Sequence, residues 1–212
     1  EVSGTHRETG QQIGEAARKQ VKNSVANARI LIDAAYNSLE LTWEGAKIQS
    51  RKYFPFAEER YPQYVDEIRG IAEGANVPFD DVMVLNAMEA VTMDALHLTR
   101  CTSMAVNEER TADGHVLAAH NEDWIPEDEG DVLVISAKPD KEPPFLAMTY
   151  GGLLPNVGFN AYGIAQLIDS VYPSDSRIGI PRLVVARAVL SSHRISGAIG
   201  RTLVQHRAAG YN

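Results

Sequence analysis

The chain has 212 residues, 44% hydrophobic and 23% charged, a balance that fits an ordinary globular protein with one sizeable core or two small ones. A formal charge of -8 excludes a nucleic-acid surface, which needs clustered Lys and Arg, and no run approaches the ~20 apolar residues of a membrane span. No signal-peptide pattern is visible; the chain starts at Glu1 rather than Met, which leaves the compartment open with the cytoplasm as the expectation.

Residues 1–100 read as helical. Between residues 8 and 51, Ile13, Ala17, Val21, Val25, Ala28, Ile32 and Ala35 recur at helical spacing among good helix formers, which predicts one long helix or two joined end to end. Pro55 and Pro62 punctuate the next stretch, and a second helix is predicted over 63–73, stopped by Gly74. Pro78, with Asp80 and Asp81 close behind, opens a third over 78–95.

After Arg100 the period becomes that of strands. Residues 102–106 and 116–119 flank a loop ending in Asp113-Gly114 and predict a hairpin. Further strands are predicted over 132–137, Phe145–Tyr150, Val157–Asn160 and 164–170, then helices from Pro181 and over 196–208. Helices, then meandering strands, then helices indicate an α+β fold, an antiparallel sheet covered by helices. The acids from Glu122 to Asp131 read as a solvated loop.

The only cysteine, Cys101, stands at the helix-to-strand transition. One thiol cannot form a disulfide within the chain, and no Cys/His cluster at metal-ligand spacing accompanies it, so no metal site and no cofactor are expected. Two readings stay open, an inert buried side chain and a nucleophile. Cleavage of the Arg100–Cys101 bond would free an α-amino group with an unperturbed pKa of roughly 7.7–8.0. Nucleophile and general base would then lie on one residue, with the Thr102 and Ser103 hydroxyls able to assist.

Seven segments in order carry a family likeness: Gly4-Thr5-His6-Arg7-Glu8-Thr9-Gly10, Tyr64 to Gly74, Val82-Met83-Val84-Leu85-Asn86, Cys101-Thr102-Ser103, His120-Asn121-Glu122-Asp123-Trp124, Val157 to Gly163, and Gly179-Ile180-Pro181. In these the chain resembles the acyl-coenzyme A:6-aminopenicillanic acid acyltransferase family of N-terminal nucleophile (Ntn) hydrolases, more distantly related to penicillin V acylases and bile salt hydrolases. The resemblance implies a four-layer αββα sandwich and self-cleavage between Arg100 and Cys101. A helical α-subunit, 1–100, and the start of the catalytic β-subunit, 101–212, would then form a heterodimer. Relatives run further, so the C-terminal part of that fold is expected to be missing, and the open sheet edge makes homo-oligomers possible.

By the same resemblance Cys101 attacks an N-acyl amide or acyl-thioester and forms an acyl-enzyme, passed to water or to an amine. Asp123 matches the aspartate that pairs with the nucleophile's α-amino group, and Asn160 the asparagine whose backbone N–H serves the oxyanion hole in the bile salt hydrolase branch. His120 occupies a position where relatives carry Arg or Gln and is expected to line the pocket. Trp124, Tyr150 and Phe159 are candidates for an apolar acyl pocket. Glu122, alternating with Asp123 in an extended segment, is expected on the other face.

The remaining histidines share no motif with Cys101, so a papain-like Cys/His pair is not expected. The segment around Asp123 differs from the Asn-Trp-Asp form of the penicillin-making enzyme, which favours an N-acyl amide hydrolase over an acyl-coenzyme A-dependent N-acyltransferase. A non-catalytic member that binds an acylated ligand is the alternative from another class.

Overall fold

A computed structural model describes residues 1–92, 100–171 and 173–210. The chain opens with a short strand that the helical reading of the N-terminal region did not foresee, β1 (Val2–Gly4). Thr5 then starts α1 (His6–Ala16) with a capping box: its hydroxyl accepts from the Glu8 N–H, and its own N–H donates to the Glu8 carboxylate at 2.8 Å.

The stretch read as one long helix or two joined end to end is four: α1, α2 (Arg18–Ala34), α3 (Tyr36–Leu39) and α4 (Trp43–Ser50). The apolar stripe hides the first break, because Ile13, Ala17, Val21, Ala28 and Ile32 are all buried. Steps of four residues drift about 40° each around a straight helix of 3.6 residues per turn, so the run 13–17–21–25 winds off one face. A break at Ala17 brings α2 back to the core. Glu40, at φ 50°, ends α3, and the Thr42 hydroxyl caps α4 by accepting from the Gly45 N–H at 3.1 Å.

Pro55 and Pro62 do not interrupt helices but begin them, in α5 (Phe54–Arg60) and α6 (Pro62–Ala75). Gly74 lies inside α6, which Asn76 ends in the left-handed conformation at φ 55°. Gly74 serves close approach. A Cβ on Gly10 or Gly14 of α1 would sit 2.1 or 2.2 Å from backbone oxygens of α6, and one on Gly70 or Gly74 would meet α1 at 2.2 or 2.1 Å. The two helices therefore touch backbone to backbone. The predicted third helix is α7 (Phe79–Thr92), buried along most of its length; predicted residues 93–95 lie outside the described residues.

After Arg100 come β2 (Arg100–Val106) and β3 (Leu117–Asp123), paired as an antiparallel hairpin. β4 (Val132–Pro139), β5 (Phe145–Tyr150), β6 (Val157–Asn160) and β7 (Ala165–Gln166) meander antiparallel, and β1 joins their edge parallel to β4, giving the order β1-β4-β5-β6-β7. The acidic run expected to be a loop is instead the end of β3, followed by a 3₁₀ turn at Pro126–Asp131. The strand expected over 164–170 shrinks to β7, and the last helices are α8 (Arg182–Val189) and α9 (Ile195–Thr202).

The fold is thus α+β. One face of the five-stranded sheet, with Ile135, Ala137, Phe145 and Ala147, is buried in the main core with the helices. The opposite face leaves Val134, Leu146 and Phe159 exposed. Buried charge locks strand to helices: Arg187 of α8 donates to Glu67 of α6 and to Glu142 of the β4–β5 turn, and His6 of α1 meets the same two carboxylates.

Candidate active site

Register decides which side chains share a face of the hairpin. Cys101 pairs with Glu122 and Ser103 with His120, whereas Arg100 pairs with Asp123 and Thr102 with Asn121. Directly opposed residues project to the same side, and neighbours along a strand to opposite sides. Cys101, Ser103, His120 and Glu122 therefore share the inner face, and the exposed Asp123, Thr102 and Asn121 belong to the outer one.

The inner face is a connected polar cluster. The Ser103 hydroxyl lies 2.9 Å from Asp169 Oδ1 and 3.0 Å from His120 Nδ1, and His120 Nε2 lies 2.9 Å from Glu122 Oε2. The Cys101 sulfur, a His120 ring nitrogen and a Glu122 oxygen all fall within 4.8 Å of one another. The His120 side chain is only 4% exposed, so its ring is fixed by packing as well as by hydrogen bonds.

The environment favours a protonated thiol. Burial is the largest influence pushing Cys101 above the ordinary thiol range, and the charges of Glu122 and Asp169 push the same way; hydrogen bonds from the Asp123 and Ser170 backbones oppose them. Tyr150, nearby, is raised first by burial and then by the negative charges of Glu122, Asp128 and Cys101.

A cleft of about 730 Å³, counted out to solvent, adjoins the cluster. Glu122, Trp124 and Tyr150 line it together with Asn86, Asn156 and the Glu89–Arg182 pair, whose two hydrogen bonds are both 2.6 Å. The Trp124 ring lies 5.7 Å from that of Tyr150, and its Nε1 donates to Asp128 at 2.6 Å. These rings give the cleft an aromatic wall beside its carboxylates.

Asn160 is placed elsewhere. It pairs with Phe145, five residues along β5 from Tyr150, roughly 17 Å at the rise of a strand. Its backbone N–H donates to the Ile164 carbonyl at 3.0 Å, which leaves that donor engaged rather than facing an oxyanion. Its amide clamps the end of α8, donating to the Leu190 and Ser192 carbonyls at 2.9 and 2.7 Å and accepting from the Tyr162 and Ile164 N–H groups. Phe159 shares a sheet face with Tyr150 but is paired with Leu146, about 13 Å along the strand, and is 54% exposed.

The Cys/His approach that spacing gave no reason to expect is present as Cys101 and His120. Asp169 and Asn156 lie in segments without a motif. Only the alternation of Glu122 with Asp123 was a usable signal, and without the hairpin register it did not say which of the two meets the sulfur.

Comparison with known proteins adds lineage to geometry. The sequence model of the family described as "Acyl-coenzyme A:6-aminopenicillanic acid acyl-transferase" matches residues 109–212. The "Beta-alanyl-dopamine/carcinine hydrolase" of Drosophila melanogaster is 27% identical over 215 residues, covering 92% of this chain and 54% of the relative. The "Acyl-coenzyme A:6-aminopenicillanic-acid-acyltransferase 40 kDa form" of Emericella nidulans is 24% identical over 204 residues, covering 95% of this chain and 55% of the relative. The chain thus spans about half the length of the curated relatives it matches.

Proposed function

We propose, from the premise that this chain belongs to the acyl-coenzyme A:6-aminopenicillanic acid acyl-transferase family, that it carries the nucleophile of an amide hydrolase. One observation carries the reading: the Cys101 sulfur lies on the inner face of the hairpin with His120 and Glu122, beside a cleft walled by Trp124 and Tyr150. In the reaction, the sulfur adds to the amide carbonyl, the C–N bond breaks, and the amine leaves with a proton. Water then attacks the thioester, releasing acid and restoring the thiol.

The thiol needs a base, because its surroundings hold it protonated. By the family likeness that base is the α-amino group released when the Arg100–Cys101 bond is cut. Asp123, beside that bond on the paired strand, is the carboxylate to hold it. Processing divides the chain into a mostly helical 1–100 piece and a catalytic piece from Cys101, within the αββα sandwich of Ntn hydrolases. The exposed Val134, Leu146 and Phe159 face supports that architecture, since a second sheet layer would cover it. His120, with a ring nitrogen within 4.8 Å of the sulfur, is the candidate base of a second route in the uncut chain, one that needs the two side chains to draw together.

The substrate class we infer is a small N-acyl amide. Carboxylates and aromatic rings together suit a substrate with a cationic end, as in the β-alanyl amide of the insect relative's name. The test is the intact mass of the purified protein, then turnover of an N-acyl amide with and without an amine acceptor. Two fragments parting before Cys101, both lost in Cys101→Ala, together with acid release indifferent to the acceptor, are expected. A single intact mass with a thiol inert to iodoacetamide sinks the nucleophile reading. Acyl transfer in preference to acid release would instead favour the acyltransferase.

A further inference from the structure

The polar cluster beside Cys101 is one hydrogen short with a neutral imidazole and complete with a cation, a proton or a metal ion, at His120. Three contacts join Asp169, Ser103, His120 and Glu122, at 2.9, 3.0 and 2.9 Å, and each needs one hydrogen. The Ser103 hydroxyl and a neutral imidazole bring two. With the serine hydrogen on Asp169 and the Nδ1 hydrogen on Ser103, the Nε2 lone pair and Glu122 Oε2 face each other as two acceptors. Either the second N–H of an imidazolium or a metal ion completes that pair, and the Cys101 sulfur lies by the same two atoms, a third donor that a proton does not need and a metal does.

We propose that Cys101, His120 and Glu122 form a binding site for one thiophilic divalent cation of the zinc class, which occupies the sulfur and withholds it from acyl chemistry. Sulfur, imidazole nitrogen and carboxylate oxygen are the donor types such ions take, whereas magnesium and calcium prefer oxygen alone. Tetrahedral zinc with bonds of about 2.0–2.3 Å sets its ligand atoms roughly 3.3–3.7 Å apart. The three atoms here lie within 4.8 Å of one another, with His120 Nε2 and Glu122 Oε2 at 2.9 Å, so the Cys101 and Glu122 side chains must adjust around the fixed ring to take up a metal's spacing.

The outer contacts suit the same role. Metal-bound imidazoles commonly donate their other ring hydrogen to a fixed acceptor, and Ser103, itself anchored on Asp169, supplies one for Nδ1. The site needs neither scission nor catalysis, so it does not rest on the acyl-enzyme reading.

Titration of the full chain with Co²⁺, followed by absorbance, tests the site. One equivalent is expected to bind with a near-ultraviolet sulfur-to-cobalt band and the visible intensity of a four-coordinate ion, and Zn²⁺ to bleach both. Cys101→Ser should abolish the near-ultraviolet band, and Asp169→Asn should weaken binding about tenfold by loosening His120. Independently, one equivalent of Zn²⁺ should slow iodoacetamide labelling of Cys101 at least about tenfold. Absence of saturable binding, a bound cobalt without the sulfur band, a band that survives Cys101→Ser, or labelling indifferent to zinc each overturns the proposal. The wild-type spectrum and labelling carry the test if a variant does not fold. Turnover is not read, so failure here leaves the hydrolase reading standing, and the reverse also holds.

Discussion

Arg187 and Glu67, 120 residues apart in sequence, meet with both side chains wholly buried, the Arg187 Nε lying 3.0 and 3.1 Å from the two Glu67 oxygens. The guanidinium is sandwiched between the rings of Tyr64 and Phe145, 4.8 and 4.5 Å from its carbon. Removing one member of a buried ion pair leaves the other without compensation and costs about 3–5 kcal/mol. Glu67→Gln is therefore expected to lower unfolding free energy by that order in urea titration. A double substitution with apolar residues of similar volume, Glu67→Leu with Arg187→Met, should recover part of it. A Glu67→Gln loss within ~0.5 kcal/mol, the usual range for surface substitutions, would show that the pair is not the anchor it resembles.

The same cluster makes stability depend on pH. Burial alone would push His6 down, but hydrogen bonds and charge from Glu142 and Glu67 outweigh it and raise it from 6.5 to about 9. Burial would likewise raise Glu142, yet His6 and Arg187 bring it from 4.5 to about 2. The His6 contribution is complete below pH 6.5 and disappears as pH rises through 9; that of Glu142 is complete above pH 4.5 and disappears as pH falls through 2. Thermal unfolding of the wild type should show both contributions in full between those two inner limits. His6→Gln should flatten the loss from pH 6.5 to 9; an alkaline limb as steep as wild type would refute the assignment.

Glycine substitutions should split by location. Gly10→Ala places a Cβ 2.1 Å from the Glu67 carbonyl oxygen, so α1 and α6 must separate, at a cost of about 1–3 kcal/mol despite the better helix propensity of alanine. Gly197→Ala, in α9 with nothing within 4 Å, should gain roughly 0.5–1 kcal/mol. Equal effects at the two sites, measured by denaturant unfolding, would contradict the backbone contact.

Asn160→Ala should be a stability variant. It removes the partners of two carbonyls at the end of α8 and of two N–H groups in the turn after β6, and losing those partners in a buried site costs at least about 2 kcal/mol. Labelling of Cys101 by iodoacetamide in the folded variant should match wild type. A folded, fully stable variant would show that the clamp is dispensable.

The change of period at Arg100 located the hairpin, and the strand expected over Val157–Asn160 has the bounds of β6, because both signals are local. The inner face was not legible, since pairing Glu122 rather than Asp123 with Cys101 depends on a register set across a loop. Asp169 reaches Ser103 over 66 residues with no motif to announce it. Gly74 was misread for a related reason. A helix-ending glycine and one that admits a neighbouring helix look alike in sequence, and only the facing Gln11 carbonyl tells them apart.

β1 comes from the first four residues of the chain, yet it forms the edge of a sheet whose other four strands all come after Cys101. A break before Cys101 would therefore detach nothing. The leading piece would remain laced in by the β1–β4 ladder and by Glu67 under Arg187, and the two pieces would elute together in native buffer and part only in denaturant. A cut there would then leave its new terminus on a fold still held across the cut by that ladder and that ion pair.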